Sequence, residues 1–126
     1  MSKHVPPLPA SEATTLPLSQ VVEANGFVFL AGQVGNAPGL DGAVPGGIGA
    51  ETRQMLDNVG RLLRVVGLGY QDVVRATVYL RDFDEFASMS AVYREYFQTE
   101  PPTRTTVGVT GLARDYRVEI EVIATS

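Results

Sequence analysis

Residues 27–32 read Phe-Val-Phe-Leu-Ala-Gly, a strand-forming run that is apolar on both of its faces. A strand with one face in water alternates apolar and polar side chains, whereas a run without alternation is covered on both sides. Any fold for this chain must therefore find two covers for one strand. Upstream, Ala24-Asn25-Gly26 supplies the Asn-Gly pair whose positive φ suits a tight hairpin turn. Gln20 to Glu23 and Gly26 to Gly32 are accordingly read as a β-hairpin.

Two segments offer helical cover. From Glu51 to Val66 the apolar positions Met55, Leu56, Val59, Leu62, Leu63 and Val66 form one helical stripe, and Gly67 stands where a C-cap belongs. Asp82 followed by Glu85 is an acidic variant of the capping box. It opens a second stripe of Phe86, Met89, Val92, Tyr93, Tyr96 and Phe97, which Pro101-Pro102 ends. Between the helices, Val73 to Arg81 alternates Val74, Ala76, Val78 and Leu80 against Arg75, Thr77, Tyr79 and Arg81, the period of a strand.

Thr103 to Thr110 and Arg117 to Ala124 are both strand-like, and the Gly111 to Tyr116 connection is short enough for a second hairpin. In the later strand Val118, Ile120, Val122 and Ala124 form the apolar side, leaving Arg117, Glu119, Glu121 and Ile123 opposite. Antiparallel pairing would bring the Arg104 and Thr106 face beside the Glu119 and Glu121 face. The predicted order is ββαβαββ, an α+β fold with a single mostly antiparallel sheet and two helices on one face. No third helix remains for the far side, so the expected state is a homo-oligomer with sheets packed around an axis and clefts between subunits.

Composition narrows the chemistry. At 126 residues the chain is one domain's worth, read as residues 1–126 with residues 1–16 as an extended N-terminal arm. It has no cysteine and one histidine, His4, so thiolate nucleophiles and imidazole or thiolate metal clusters are not expected. Acid-base work falls to carboxylates, tyrosine, arginine or the backbone. A net charge of -4 with scattered basic residues speaks against nucleic-acid binding. Residues 35–49 are rich in glycine and proline but lack a Gly-Lys-Ser/Thr ending, so they read as a surface loop rather than a phosphate cradle. The first twenty residues carry four prolines and no continuous apolar run, and no stretch is long enough for a membrane span. The expected location is the cytoplasm, without membrane contact.

A succession of segments then carries a resemblance. These are Pro17-Leu18-Ser19-Gln20, Phe29-Leu30-Ala31-Gly32-Gln33, Thr52-Arg53-Gln54 with Leu56-Asp57-Asn58, Tyr93-Arg94-Glu95-Tyr96-Phe97, Pro102-Thr103-Arg104-Thr105-Thr106-Val107 and Val118-Glu119-Ile120-Glu121-Val122-Ile123-Ala124. From about Pro17 onward the chain resembles the Rid family of reactive intermediate (enamine/imine) deaminases, also labelled ribonuclease L-PSP proteins. The resemblance implies a chorismate-mutase-like homotrimer with sites at subunit interfaces. It implies hydrolysis of imines such as those from 2-aminoacrylate to 2-oxo acids and ammonia, with no cofactor and no metal. By position, Arg104 would hold the substrate carboxylate and Glu119 would orient or activate water, while the backbone at Gly32 and Thr106 would hydrogen-bond substrate and water.

Three positions depart from that pattern, one of them Gly108, where Val107-Gly108-Val109 replaces the family's common Val-Glu-Val and removes a carboxylate. Leu18 stands where the better-characterised deaminases carry tyrosine, and Ser90 where they carry asparagine. Both are candidate substrate contacts, and Leu18 makes the pocket more apolar, which suits a bulkier or less polar imine. Two further classes remain open: a trimer that binds a small carboxylate or metabolite without turning it over, and a ribonuclease or protein-interaction role.

Overall fold

The computed structural model describes residues 2–126. Two strands open the sheet, β1 (Val21–Ala24) and β2 (Phe27–Val34), joined through Asn25 and Gly26 at φ 53° and 81°. This is the left-handed pair that the Asn-Gly dipeptide favours. Helix α1 (Gly47–Val65) follows, then β3 (Val73–Leu80), helix α2 (Phe86–Tyr96), β4 (Thr103–Gly108) and β5 (Val118–Thr125). The ββαβαββ order is as expected, with α1 starting four residues earlier than the apolar stripe indicates.

The strands lie in the order β1-β2-β5-β3-β4. β5 runs antiparallel between β2 and β3, whereas β4 runs parallel to β3 at the edge. The expected hairpin between the last two strands does not form. Its short connection instead carries the chain past β3, and α2 serves as the crossover between the parallel strands β3 and β4. Polarity explains the placement. β4 reads Thr-Arg-Thr-Thr-Val-Gly and tolerates an edge, while β5 buries Val118, Ile120, Val122 and Ala124 and takes the central position.

Both helices cover one face. Met55, Leu56, Val59, Leu62 and Leu63 of α1, with Met89 and Tyr93 of α2, pack on Val28, Leu30, Ala76, Val78, Leu80, Ile120 and Val122. Each fully buried leucine here contributes roughly 1.5–3 kcal/mol. Val74 was expected on this face but is exposed, because a register shift between Val73 and Arg75 turns Val73 inward in its place. The Asp82 cap is also only half of a box: Asp82 accepts the Asp84 N–H at 2.9 Å, while the Glu85 carboxylate turns to Arg117.

Helix α1 ends as its glycine indicates. Gly67 at φ 79° donates to the Arg64 carbonyl (3.0 Å) and Leu68 to the Leu63 carbonyl (2.9 Å), a Schellman closure. Within the helix, Gly60 faces Tyr70, whose hydroxyl donates to the Leu56 carbonyl at 2.8 Å, and a β-carbon at residue 60 would fall on that hydroxyl. Gly60→Ala is therefore expected to destabilise the protein by about 1–3 kcal/mol despite the better helix propensity of alanine. Denaturant unfolding of the variant beside the parent checks this, and an unchanged or raised midpoint would contradict it.

Among the described residues nothing covers the opposite face. Phe27 and Phe29 are 42% and 41% exposed there, so the doubly apolar strand meets one cover, not two. Ahead of the sheet, His4 pairs with Glu23, and Ala10–Glu12 makes one 3-10 turn. Among the described residues no helix is long and apolar enough to cross a membrane.

Candidate active site

Arg104 sits on β4 opposite Ala76 of β3, and its side chain lies on the helix-covered face. Three α2 side chains one helical turn apart receive it. The guanidinium lies 4.7 Å from the Tyr93 ring centroid and 5.3 Å from that of Phe86, and it donates to Ser90 Oγ at 3.1 Å. Stacking between aromatic faces fixes the plane of the fork while leaving its edges free. Among the described residues Arg104 has no carboxylate within salt-bridge distance, unlike Arg53, Arg61, Arg81, Arg114 and Arg117. Its surroundings are a cavity of about 340 Å3 lined by Ser90, Tyr93, Pro101 and Pro102. Burial pushes the Tyr93 hydroxyl up to about 12, against the opposing pull of the Arg104 charge.

Glu119 lies elsewhere. It pairs with Tyr79 of β3 and with Val34 of β2, on the uncovered face of the sheet. The expected juxtaposition of the Arg104 and Thr106 face with the Glu119 and Glu121 face is therefore overturned, because β3 separates β4 from β5 and the two groups point to opposite sides. Glu119 makes no hydrogen bond or ion pair among the described residues, since the Tyr79 hydroxyl goes to Glu121 at 2.6 Å. Burial holds the Glu119 carboxyl above its ordinary range, and the neighbouring Glu121 charge pushes the same way.

Gly32 belongs to the Glu119 half. The pairing of β2 with β5 shifts register between Leu30 and Gln33, so Ala31 and Gly32 bulge. A β-carbon at residue 32 would fall on the Glu119 carboxylate. The glycine thus leaves room for that side chain, and it also lines a larger cavity of about 570 Å3. Thr106 stays with Arg104, two residues along β4, its hydroxyl buried without a partner. Leu18 is 47% exposed on the loop before β1 and lines neither cavity.

Of the six residues singled out from the sequence, the structure groups Arg104, Ser90 and Thr106 on one side and Glu119 and Gly32 on the other. Phe86 and Tyr93, which the sequence places on the apolar stripe of α2, also cradle Arg104. Their signal was the spacing Phe86, Ser90, Tyr93, which puts all three on one helical face.

A five-stranded, mostly antiparallel sheet with two helices on one face is the α+β architecture of a chorismate-mutase-like fold. The sequence model of the endoribonuclease L-PSP family matches residues 9–126. A RutC family protein of Pyrococcus horikoshii is 43% identical over 108 residues, covering 86% of each chain. The 2-iminobutanoate/2-iminopropanoate deaminase of Bos taurus is 40% identical over 108 residues, 86% of this chain and 79% of that one. The crystal structure of yeast Mmf1 superposes with a TM-score of 0.90 at 31% identity, covering 99% of both chains. The chain belongs to the L-PSP family, the Rid family that its motifs resemble, and has that family's chorismate-mutase-like fold.

Proposed function

We propose that this chain is a cofactor-independent hydrolase that deaminates reactive enamine/imine intermediates, of the 2-aminoacrylate type or bulkier and less polar, to 2-oxo acids and ammonia. Its sites lie between the subunits of a homotrimer. One observation carries the reading: the unpaired guanidinium and the unpaired, half-buried carboxylate stand on opposite faces of one sheet, so a substrate can meet both only where two protomers join. The imine deaminase named among the relatives supports the chemistry.

The reaction asks little of the protein. Arg104 grips the substrate carboxylate through two parallel N–H···O bonds. Glu119, its carboxyl raised above the ordinary range by burial, takes a proton from water as the water oxygen bonds to the imine carbon. The C=N π electrons move to nitrogen, which takes up a proton. In the collapse of the resulting carbinolamine its hydroxyl proton passes to the amine nitrogen, the C=O bond forms, the C–N bond breaks and ammonia leaves. The backbone at Gly32 and Thr106 holds substrate and water in line. Ser90 holds Arg104 through its hydroxyl.

The test is a coupled assay in which an amino-acid oxidase generates imines from a panel of amino acids and semicarbazide traps those that survive. Wild-type protein is expected to reduce the trapped product, and Glu119→Gln to lower kcat roughly 100-fold. Binding of 2-oxo acids without any turnover would move the reading to a metabolite-binding trimer. Salt-sensitive RNA binding with no imine loss would move it to the ribonuclease role.

A further inference from the structure

Glu51 is the most deeply buried carboxylate among the described residues, 2% exposed, and the mechanism above does not use it. It has no arginine within salt-bridge distance. Its Oε2 instead accepts two backbone bonds, from the Arg117 N–H at 2.6 Å and the Val118 N–H at 3.3 Å. These are the two residues immediately before Glu119.

The segment they belong to needs holding. Arg114 and Asp115 both have positive φ, 53° and 58°, a conformation that consecutive L-residues keep only where neighbours impose it. The Tyr116 hydroxyl accepts the Gly42 N–H at 2.9 Å, and the Arg117 carbonyl accepts the Arg81 N–H at 3.0 Å. The Arg117 side chain pairs with Glu85 at 3.1 Å, whereas the Glu51 bonds hold the backbone itself and act closest to Glu119.

Glu51 also ties this segment to the Gly32 bulge through α1. Gly35, just past β2, packs on the backbone and side chain of Glu51 so closely that no β-carbon fits. Two α1 turns further, Asn58 donates to the carbonyls of Val34 and Asn36 at 2.8 and 2.9 Å. Helix α1 therefore holds the end of β2 and the start of β5 in one frame, and Glu119 and Gly32 meet between them.

We infer that Glu51 is a positioning residue for Glu119: its carboxylate clamps the first residues of β5 to α1, so that the Glu119 side chain is delivered onto the Gly32 bulge. Burial raises the Glu51 carboxyl above its ordinary range against the pull of those backbone donors and of Arg117. A carboxylate held in the interior with two consecutive backbone N–H groups aimed at one of its oxygens marks a geometric role. The inference rests on the proposed part of Glu119 in water activation.

The experiment separates the two. Imine hydrolysis by wild type, Glu51→Gln, Glu51→Ala and Glu119→Gln is measured with kcat and KM resolved, well below the melting temperature of each. Glu51→Ala is expected to lower kcat roughly 10- to 100-fold, and Glu51→Gln, which keeps one acceptor oxygen but no charge, about 3- to 10-fold. KM stays within about twofold in both, because Arg104 lies on the far face. Should Glu51→Ala not fold, Glu51→Gln decides. A folded Glu51 variant with wild-type kcat, or one whose kcat and KM move together, overturns the inference. Wild-type kcat in Glu119→Gln instead overturns the reading beneath it.

Discussion

Arg104→Ala is expected to lower kcat/KM on carboxylate-bearing imines by roughly 100-fold, the loss of a bidentate charge-assisted pair worth about 3 kcal/mol. The fold should survive, because the residue sits on an edge strand and its guanidinium bonds only Ser90. Arg104→Lys keeps the charge but neither the fork nor the flat stack between Phe86 and Tyr93, so it should recover only a small part of the rate. An imine without a carboxylate should be hydrolysed equally by all three proteins. Equal loss on both substrates would mean that Arg104 supports the structure rather than the substrate. The split geometry adds a sharper check. Arg104→Ala and Glu119→Gln subunits, unfolded and refolded together, should regain roughly a quarter of the sites, since some interfaces then join an intact arginine half to an intact glutamate half. Recovery of no activity on mixing would place both groups in one protomer's site and sink the interface proposal.

Gly32→Ala should be nearly as damaging by a different route. The added methyl group falls on the Glu119 carboxylate, the free end of a flexible side chain, so the carboxylate moves and the backbone does not. Stability should change by less than about 1 kcal/mol, while kcat falls roughly 100-fold because a misplaced base is a lost one. The contrast with Gly60→Ala is the useful part, since there the methyl group meets the buried hydroxyl of Tyr70 and the cost appears in stability. Thermal unfolding and the imine assay, run on both glycine variants, should give opposite patterns. A Gly32→Ala protein with full activity would show that Glu119 works from another position.

The elements were legible because their periods were strong: five stripe residues within α1 and a sixth at its cap, the alternation in β3, and the Asn-Gly turn. Pairing was not. Sequence proximity favours a hairpin between β4 and β5, and no local pattern records that a strand from further along will be inserted between two earlier ones. Composition held the better signal, for a strand of threonine, arginine and glycine suits an edge and one rich in isoleucine and valine suits the middle. That error carried directly into the site. With β5 moved between β2 and β3, Glu119 comes onto the open face and Arg104 stays beneath the helices. Glu51 was hidden for another reason. It stands at the head of the α1 stripe, four residues before Met55, a position from which a carboxylate points inward, but only the register of β5 reveals what it holds.

The doubly apolar run at residues 27–32 and the exposed Phe27 and Phe29 set a demand that the chain cannot meet alone. The proposed trimer meets it on the same face that carries Glu119.

The pairing of His4 with Glu23 limits how this sheet can grow. β1 is four residues long, and at Glu23 both outward backbone groups are already engaged by the arm, N–H to carbonyl and carbonyl to N–H at 2.8 Å each. The other border, β4, has no neighbouring strand among the described residues. Filament formation by strand addition requires two receptive borders on every copy, and here the N-terminal arm occupies Glu23 on one of them. Strand addition is thus obstructed at β1 and open along β4.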